Sequence, residues 1–448
     1  MKWRGRFEGY NAAALRRDLI SGLIVGIVAI PLGMAFAIAS GVKPEYGLYT
    51  TIVAGILISL FGGSRFQIGG PTGAFIPVLL AVVLQYGYEN LLTAGFMAGV
   101  LLVLMGLFRL GNLIKYIPRP VTVGFTAGIA VIIFTGQIPG LLGLEGVERH
   151  ERFLANMAEI GEHLGTVNLY SLAVGAAGFA ALFLTPRFLP KMPGSLIALV
   201  LTSAVSVFLF PGATATIGSA YGAIPSALPE IRFPDLSPEK IVSLLYPAFI
   251  IAMLGGVESL LSAVVADRMT GTKHDSNREL IGQGIANMAA PLFGGIPATG
   301  AIARTATNIK NNAASPLSGV FHGVVVLLVL LVFAPYASHI PLAGMAPILM
   351  MVAWNMSERK HFAEILREKS PETVVLLATF LLTVFTDLTI GVLTGLALTY
   401  AFKAARRPLV LLRYRIHRIR LHRRLAFAEA RGLHPHALQS VRRRVPPK

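Results

Sequence analysis

Apolar runs dominate the chain, and Gly, Pro and basic residues break them at short intervals. The breaks mark off fourteen segments. Seven lie at about 18–40, 44–62, 72–86, 89–108, 119–138, 167–186 and 194–210. Seven more lie at about 243–266, 278–293, 300–311, 315–334, 341–356, 372–386 and 388–405. Many approach the ~20 residues that a helix needs to cross a bilayer. The pattern predicts an all-α polytopic membrane protein. Two openings are poor starts for ordinary membrane helices: Gly69-Gly70-Pro71-Thr72-Gly73-Ala74-Phe75 before the third segment, and Gly294-Gly295-Ile296-Pro297-Ala298-Thr299-Gly300-Ala301 before the tenth. Thr72-Gly73-Ala74 recurs as Thr299-Gly300-Ala301, each time after a double glycine and a proline.

Gly/Pro-interrupted segments at matching positions of two halves point to a transporter binding site. Half-helices that start inside the membrane aim free N–H groups and partial positive charge at one place, which suits an anion. Read singly, either stretch is a tight turn between helices; the pair favours the site. Seven segments per half invert the second copy, so the expected architecture is a 7+7 inverted repeat. Leu101–Pro118 and Val324–Pro341 support it, since each runs from an apolar stretch through a polar loop to Ile-Pro.

Charge tests the count. Residues 1–17 hold five basic residues against Glu8, and 403–448 hold fourteen against Glu429. These ends carry the whole formal net charge of +17. By the positive-inside rule both termini are cytoplasmic, so the number of spans is even. The loops then predicted inside carry Arg109 and Lys115, Arg187 and Lys191, Arg268 and Lys273, and Arg359, Lys360, Arg367 and Lys369. The long outside loops, 139–166 and 211–242, are rich in glutamate, with Glu145, Glu148, Glu151, Glu159 and Glu162 in the first. Twelve spans would also return both ends to one side but would leave 294–314 unexplained. Only 14% of residues are charged, well under the ~25% of soluble proteins. The N-terminus shows no cleavable signal peptide. There is no cysteine, hence no disulfide, thiolate metal site or thiol nucleophile. The Arg-rich 403–424 stretch, with interleaved Leu and Ile, is expected to lie on anionic lipids rather than to bind nucleic acid.

Glu258 lies within the eighth segment, and a carboxylate at that depth is by default a functional residue. It is the candidate carrier of H⁺, or of Na⁺ with oxygens from Ser262, Thr299 or backbone carbonyls; a static ion pair or a bond to a segment-ten amide is the structural alternative. Arg304, one turn into segment ten, contributes positive field at the anion site or pairs with Glu258. Pro31 interrupts segment one, as a cavity-lining break or a plain kink. His322 and Asp387 read as satisfied structural groups. No Walker loop, HExxH, nucleophile elbow or dinucleotide fingerprint occurs in context, so no enzyme, cofactor or further metal site is expected.

Ile30-Pro31-Leu32-Gly33-Met34-Ala35-Phe36-Ala37, Pro44-Glu45-Tyr46-Gly47-Leu48-Tyr49, Gly62-Gly63-Ser64-Arg65, Gly69-Gly70-Pro71-Thr72, Glu258-Ser259-Leu260-Leu261-Ser262-Ala263 and Gly295 through Thr305 resemble the SulP (sulfate permease) family over roughly 12–405. That family includes bacterial anion permeases and the animal exchangers related to prestin and pendrin. The resemblance implies a mobile core (about 18–108 and 243–334), a gate (about 119–210 and 341–405) and an elevator-like motion. It implies a sulfate, bicarbonate, chloride or C4-dicarboxylate substrate between the N-termini of segments three and ten. Around it stand Pro31, Phe36, Thr72, Gly73, Ala74, Phe75, Thr299, Gly300, Ala301 and Arg304. Cation coupling is implied at Glu258, with Ser262 beside it. Two departures stand out. Where the family usually carries a STAS domain, the chain has the basic stretch 406–448, which bears on dimerisation; and position 303 is Ala where some animal relatives have Ser. The function expected is H⁺-coupled symport of a small anion at a bacterial inner membrane. The alternatives are Na⁺-coupled bicarbonate transport, uncoupled exchange or a channel, a nucleobase permease, and a scaffold.

Overall fold

The computed structural model describes residues 6–7, 9–112, 118–190, 192–227, 231–386 and 388–405. Asp387 and the 406–448 tail lie outside them. A helix overlies each of the fourteen expected segments. The first half holds α1 Ala12–Ala39, α2 Pro44–Phe61, α3 Ile76–Tyr86 behind a 3-10 turn Gly73–Phe75, α4 Tyr88–Leu107 and α5 Arg119–Gly136. Two short helices follow, α6 Ile138–Leu142 and α7 Phe153–Glu162, then α8 Leu169–Phe188, α9 Gly194–Ala204 and the short α10 Ile217–Tyr221. The second half holds α11 Pro238–Thr270, α12 Ser276–Ala289, α13 Ile302–Lys310, α14 Leu317–Ala337, α15 Leu342–Met356, α16 Arg359–Arg367, α17 Pro371–Phe385 and α18 Leu388–Ala405. Among the described residues, eight helices are long and apolar enough to cross a membrane. The chain is a multi-pass integral membrane protein.

Several boundaries differ from expectation for local reasons. The first helix starts at Ala12 rather than at 18, because the Asn11 side chain caps it, accepting from the Ala14 N–H at 2.9 Å. Arg16, Arg17 and Asp18 are therefore helical. Asp18 is fully buried, and it accepts from the backbone of Ala314 (2.6 Å) and Ser315 (3.0 Å) and from the Ser315 hydroxyl (2.5 Å), which pins α1 to the start of α14. The eighth segment lengthens at both ends, with Pro238 at its first turn and Gly271, left-handed at φ 71°, closing it. The loop helices α6, α7, α10 and α16 are too short to leave a periodic trace in the sequence.

The helices pack in two sets. In one, α4 lies against α11 and α12, and α14 against α1 and α2. Small residues bring α4 and α12 together: a Cβ on Gly99 would lie 2.6 Å from the Met288 nitrogen. Glu279 of α12 ties this set to the chain before the third segment, accepting from the N–H groups of Gly63 (2.8 Å) and Ser64 (2.9 Å). In the other set, α5 packs on α15, α16 and α17, and α8 on α9 and α15. Strands β1 (Gly69–Gly70) and β2 (Thr299–Gly300) meet inside the first set as an antiparallel ribbon, Gly69 opposite Gly300 and Gly70 opposite Thr299.

Candidate anion site

The ribbon aligns two helix starts. Past β1 the chain turns through Pro71 and Thr72 into the 3-10 turn and α3; past β2 it turns at Ala301 into α13. The first N–H groups of a helix have no partner within it. Here the amides of Gly73 and Ala74 on one side, and of Ile302, Ala303 and Arg304 on the other, donate to no acceptor among the described residues. The neighbouring amides are occupied. Ala301 N–H donates to the Ile68 carbonyl at 2.8 Å, and Gly300 N–H to the Ser259 hydroxyl at 3.0 Å.

The side chains around the ribbon come from several helices. A Cβ at Gly73 would sit 3.6 Å from Phe36 of α1, 3.2 Å from Ile133 of α5 and 3.6 Å from the Met356 sulfur of α15. Gly73 therefore lies where the two helix sets meet, with Phe36 beside it. Phe75 turns away and packs on Gly255 of α11, 3.1 Å from where a Cβ would stand there. Pro31 is buried inside an unbroken α1. Ala74, Ala301 and Thr72 surround the free amides, and the Thr72 hydroxyl lacks a bond to the chain. A cavity of about 1240 Å³ between the sets runs from the 145–152 loop to Ala35, Ile76 and Ile133; Phe36, Gly73 and the other predicted site residues do not line it, and Ile133 is its link to Gly73.

Arg304 is 2% exposed. Its guanidinium lies behind the ribbon: Nη2 donates to the Pro71 carbonyl, and Nη1 touches Gly70, leaving no room for a Cβ there. Gly70 also has φ 146°, which favours glycine. Arg304 forms no ion pair among the described residues, so the expected alternative of a pair with Glu258 is absent. Its positive charge stays unneutralised one turn from the free amides.

Glu258 is 6% exposed and makes no hydrogen bond or ion pair among the described residues, which also removes the bond to a segment-ten amide. Glu358, just before α16, is the charge that faces it. Ser262 and Thr299 have other partners. Ser262 Oγ is 3.3 Å from Thr305 Oγ1. Thr299 donates to the Gly255 carbonyl at 3.1 Å and receives the Ser259 hydroxyl at 2.7 Å. His322 is fully buried, with Nδ1 at 3.3 Å from the Gly319 carbonyl and Nε2 unpartnered. Ser259, Gln67, Ile133 and Met356 were not singled out in the sequence. Gln67 alone carried a signal, as an uncharged polar residue next to a Gly-Gly-Pro break.

Residues 15–379 match the family model described as "Sulfate permease family". The Bacillus subtilis protein named "Putative sulfate transporter YvdB" is 65% identical over 402 residues, 90% of this chain and 76% of that protein. The "Bicarbonate transporter BicA" of Picosynechococcus sp. is 33% identical over 403 residues, 85% of this chain and 69% of that protein. Among solved structures, the transmembrane domain of a cyanobacterium bicarbonate transporter BicA matches with a TM-score of 0.77 at 30% identity, covering 85% of this chain and 98% of that one. Murine Slc26a9 in the inward-facing state matches with a TM-score of 0.79 at 20% identity, covering 88% of this chain and 69% of that one, a likeness of fold.

Proposed function

This chain belongs to the sulfate permease family, whose members here are transporters and not enzymes, and from that membership and the geometry at the ribbon we propose a secondary active transporter of small oxyanions, sulfate or bicarbonate, driven by H⁺ or Na⁺. The observation that carries the reading is the pair of helix starts whose free amides adjoin one ribbon, with the unneutralised Arg304 behind it. Each amide bond to an anion is charge-assisted and contributes about 1.5–3 kcal/mol net. The backbone supplies these donors, so the Ala at 303 costs none of them.

Glu258 is the coupling residue. A buried carboxylate with no counter-charge is a costly arrangement that a proton or a sodium ion relieves. An uncoupled channel would give it no task. The helices that carry the ribbon, α1–α4 and α11–α14, form the moving core, and α5, α8, α9, α15, α17 and α18 form the gate. Gly73 then sits on the sliding surface, against Ile133 and Met356, which suits an elevator-like movement of the bound anion. The fourteen helices read as a 7+7 inverted repeat. Supporting this, β1 and β2 cross antiparallel, and Pro118 and Pro341 cap α5 and α15 with matching dihedrals. A bacterial inner membrane, cytoplasmic termini and a homodimer complete the proposal.

The test is anion binding to the purified protein. Ala301→Trp fills the space over the α13 start and abolishes sulfate and bicarbonate binding while the protein remains folded. Wild-type affinity in that variant would put the site elsewhere.

A further inference from the structure

Gln67 stands on the strand that leads into β1. Its backbone neighbours are fixed to α13: Phe66 carbonyl receives Asn308 Nδ2 at 2.9 Å, and Ile68 N–H donates to Thr305 Oγ1 at 3.0 Å. The Gln67 side chain points the other way, toward α11. Its amide rests directly on Gly300, in the space a Cβ would need, beside the Ser259 backbone. Ser259 is the residue after Glu258. The side chain is 3% exposed, and neither its oxygen nor its nitrogen has a hydrogen-bond partner among the described residues.

Nearby groups cannot supply those partners. Gly300 N–H, the Ser259 and Thr299 hydroxyls and the Gly255 carbonyl close a chain among themselves. Ser262 is turned to Thr305. A leucine would fill the same space without burying two unsatisfied polar atoms, so packing alone does not account for an amide here. The uncommitted polar group on the α11 side of the ribbon is Glu258, whose carboxylate is likewise unpartnered.

We propose that Gln67 is a ligand of the coupling cation, closing its site opposite Glu258. The oxygen of the Gln67 side-chain amide accepts the proton on Glu258, or coordinates Na⁺, when the site is loaded. Because Gln67 precedes segment three and lies on Gly300, a cation bridging Gln67 and Glu258 ties both halves of the ribbon to α11. Loading the cation therefore orders the free amides for the anion, and anion binding tightens the cation site in return. The charged groups facing the site are Glu258 on α11 and Glu358 before α16, while Arg304 on α13 lies behind the ribbon on the Pro71 carbonyl. This inference rests on the reading of Glu258 as the coupling residue.

The experiment measures sulfate and bicarbonate affinity of the purified full chain, in sodium against choline and at low against neutral pH. Wild type, Gln67→Leu and Gln67→Asn are compared. In wild type the coupling cation raises anion affinity by about 5–150-fold, the usual range of coupling between two sites. Gln67→Leu keeps the cation-free affinity and loses the enhancement; Gln67→Asn, one methylene shorter, loses part of it and serves if the leucine variant does not fold. A Gln67→Leu protein with the full wild-type enhancement would overturn the assignment and leave Gln67 as a residue solvated by buried water. Absence of any enhancement in wild type would sink the Glu258 reading itself, and this inference with it. Gly300→Ala pushes the amide aside and reproduces the loss. Gln67→Ala combined with Gly300→Ala restores the melting temperature but not the enhancement, which separates packing from ligation.

Discussion

Gly70 holds the cation of the site in place by having no side chain. The Arg304 guanidinium occupies the space a Cβ would take, 2.6 Å from Nη1, and hangs on the Pro71 carbonyl. Gly70→Ala forces the guanidinium out of a buried position at a strained φ. We expect it to cost about 1–3 kcal/mol, the usual penalty for orphaning a buried polar group, seen as a lower melting temperature together with weaker sulfate binding. Unchanged affinity with lowered stability would mean that Arg304 adds no field at the site. The sequence marked Arg304 and Glu258 as charges in apolar segments. It left open whether they pair. That depends on which way two long side chains turn, and spacing along a chain says nothing about it. Gln67 was passed over because no period or charge sets it apart.

At the scale of elements, the apolar runs and Gly-Pro breaks located the helices to within a few residues. Where they erred, a cap decided the outcome: Asn11 starts α1 early, and Asp275, accepting from Asn277 and Arg278, starts α12 at Ser276. The ribbon itself was not legible, since two paired residues per strand leave no alternation. The 139–166 loop forms an element of its own around α7. Glu159 accepts from His150 Nε2 (3.2 Å) and from the Glu148 N–H (3.2 Å), and the same loop reaches the core through Arg149, which donates to the Ile38 carbonyl at the end of α1 at 2.6 Å. Those bonds, His150 first, hold the Glu159 carboxyl below its ordinary value of 4.5. A lowered carboxylate contributes stability at pH above the ordinary value, and the contribution fades as pH falls through the lowered one. We therefore expect the protection of the 145–163 amides, relative to their intrinsic exchange rates, to fall on acidification below that range, and Glu159→Gln to show the low protection already at neutral pH. Protection independent of pH in the wild type would contradict this account of the loop.

For the whole molecule, the two helix sets meet at Gly73, and a cavity lined by its neighbour Ile133 extends to the 145–152 loop. Fold class followed from hydropathy and from the way basic residues segregate to one set of loops. The division into two packing sets did not, because helix partners separated by hundreds of residues, such as α1 and α14, share no local signal. The anion's identity is likewise absent from the chain's pattern: free amides and one arginine accept any small oxyanion. Cation drive, by contrast, depends on a single carboxylate. The measurement that bears on it most directly is uptake of labelled sulfate and bicarbonate into proteoliposomes under an inward H⁺ or Na⁺ gradient, with wild type and Glu258→Gln side by side. The account predicts that wild type concentrates one of these anions under one gradient and that the variant only equilibrates it; equal accumulation by both proteins would contradict the coupling role of Glu258.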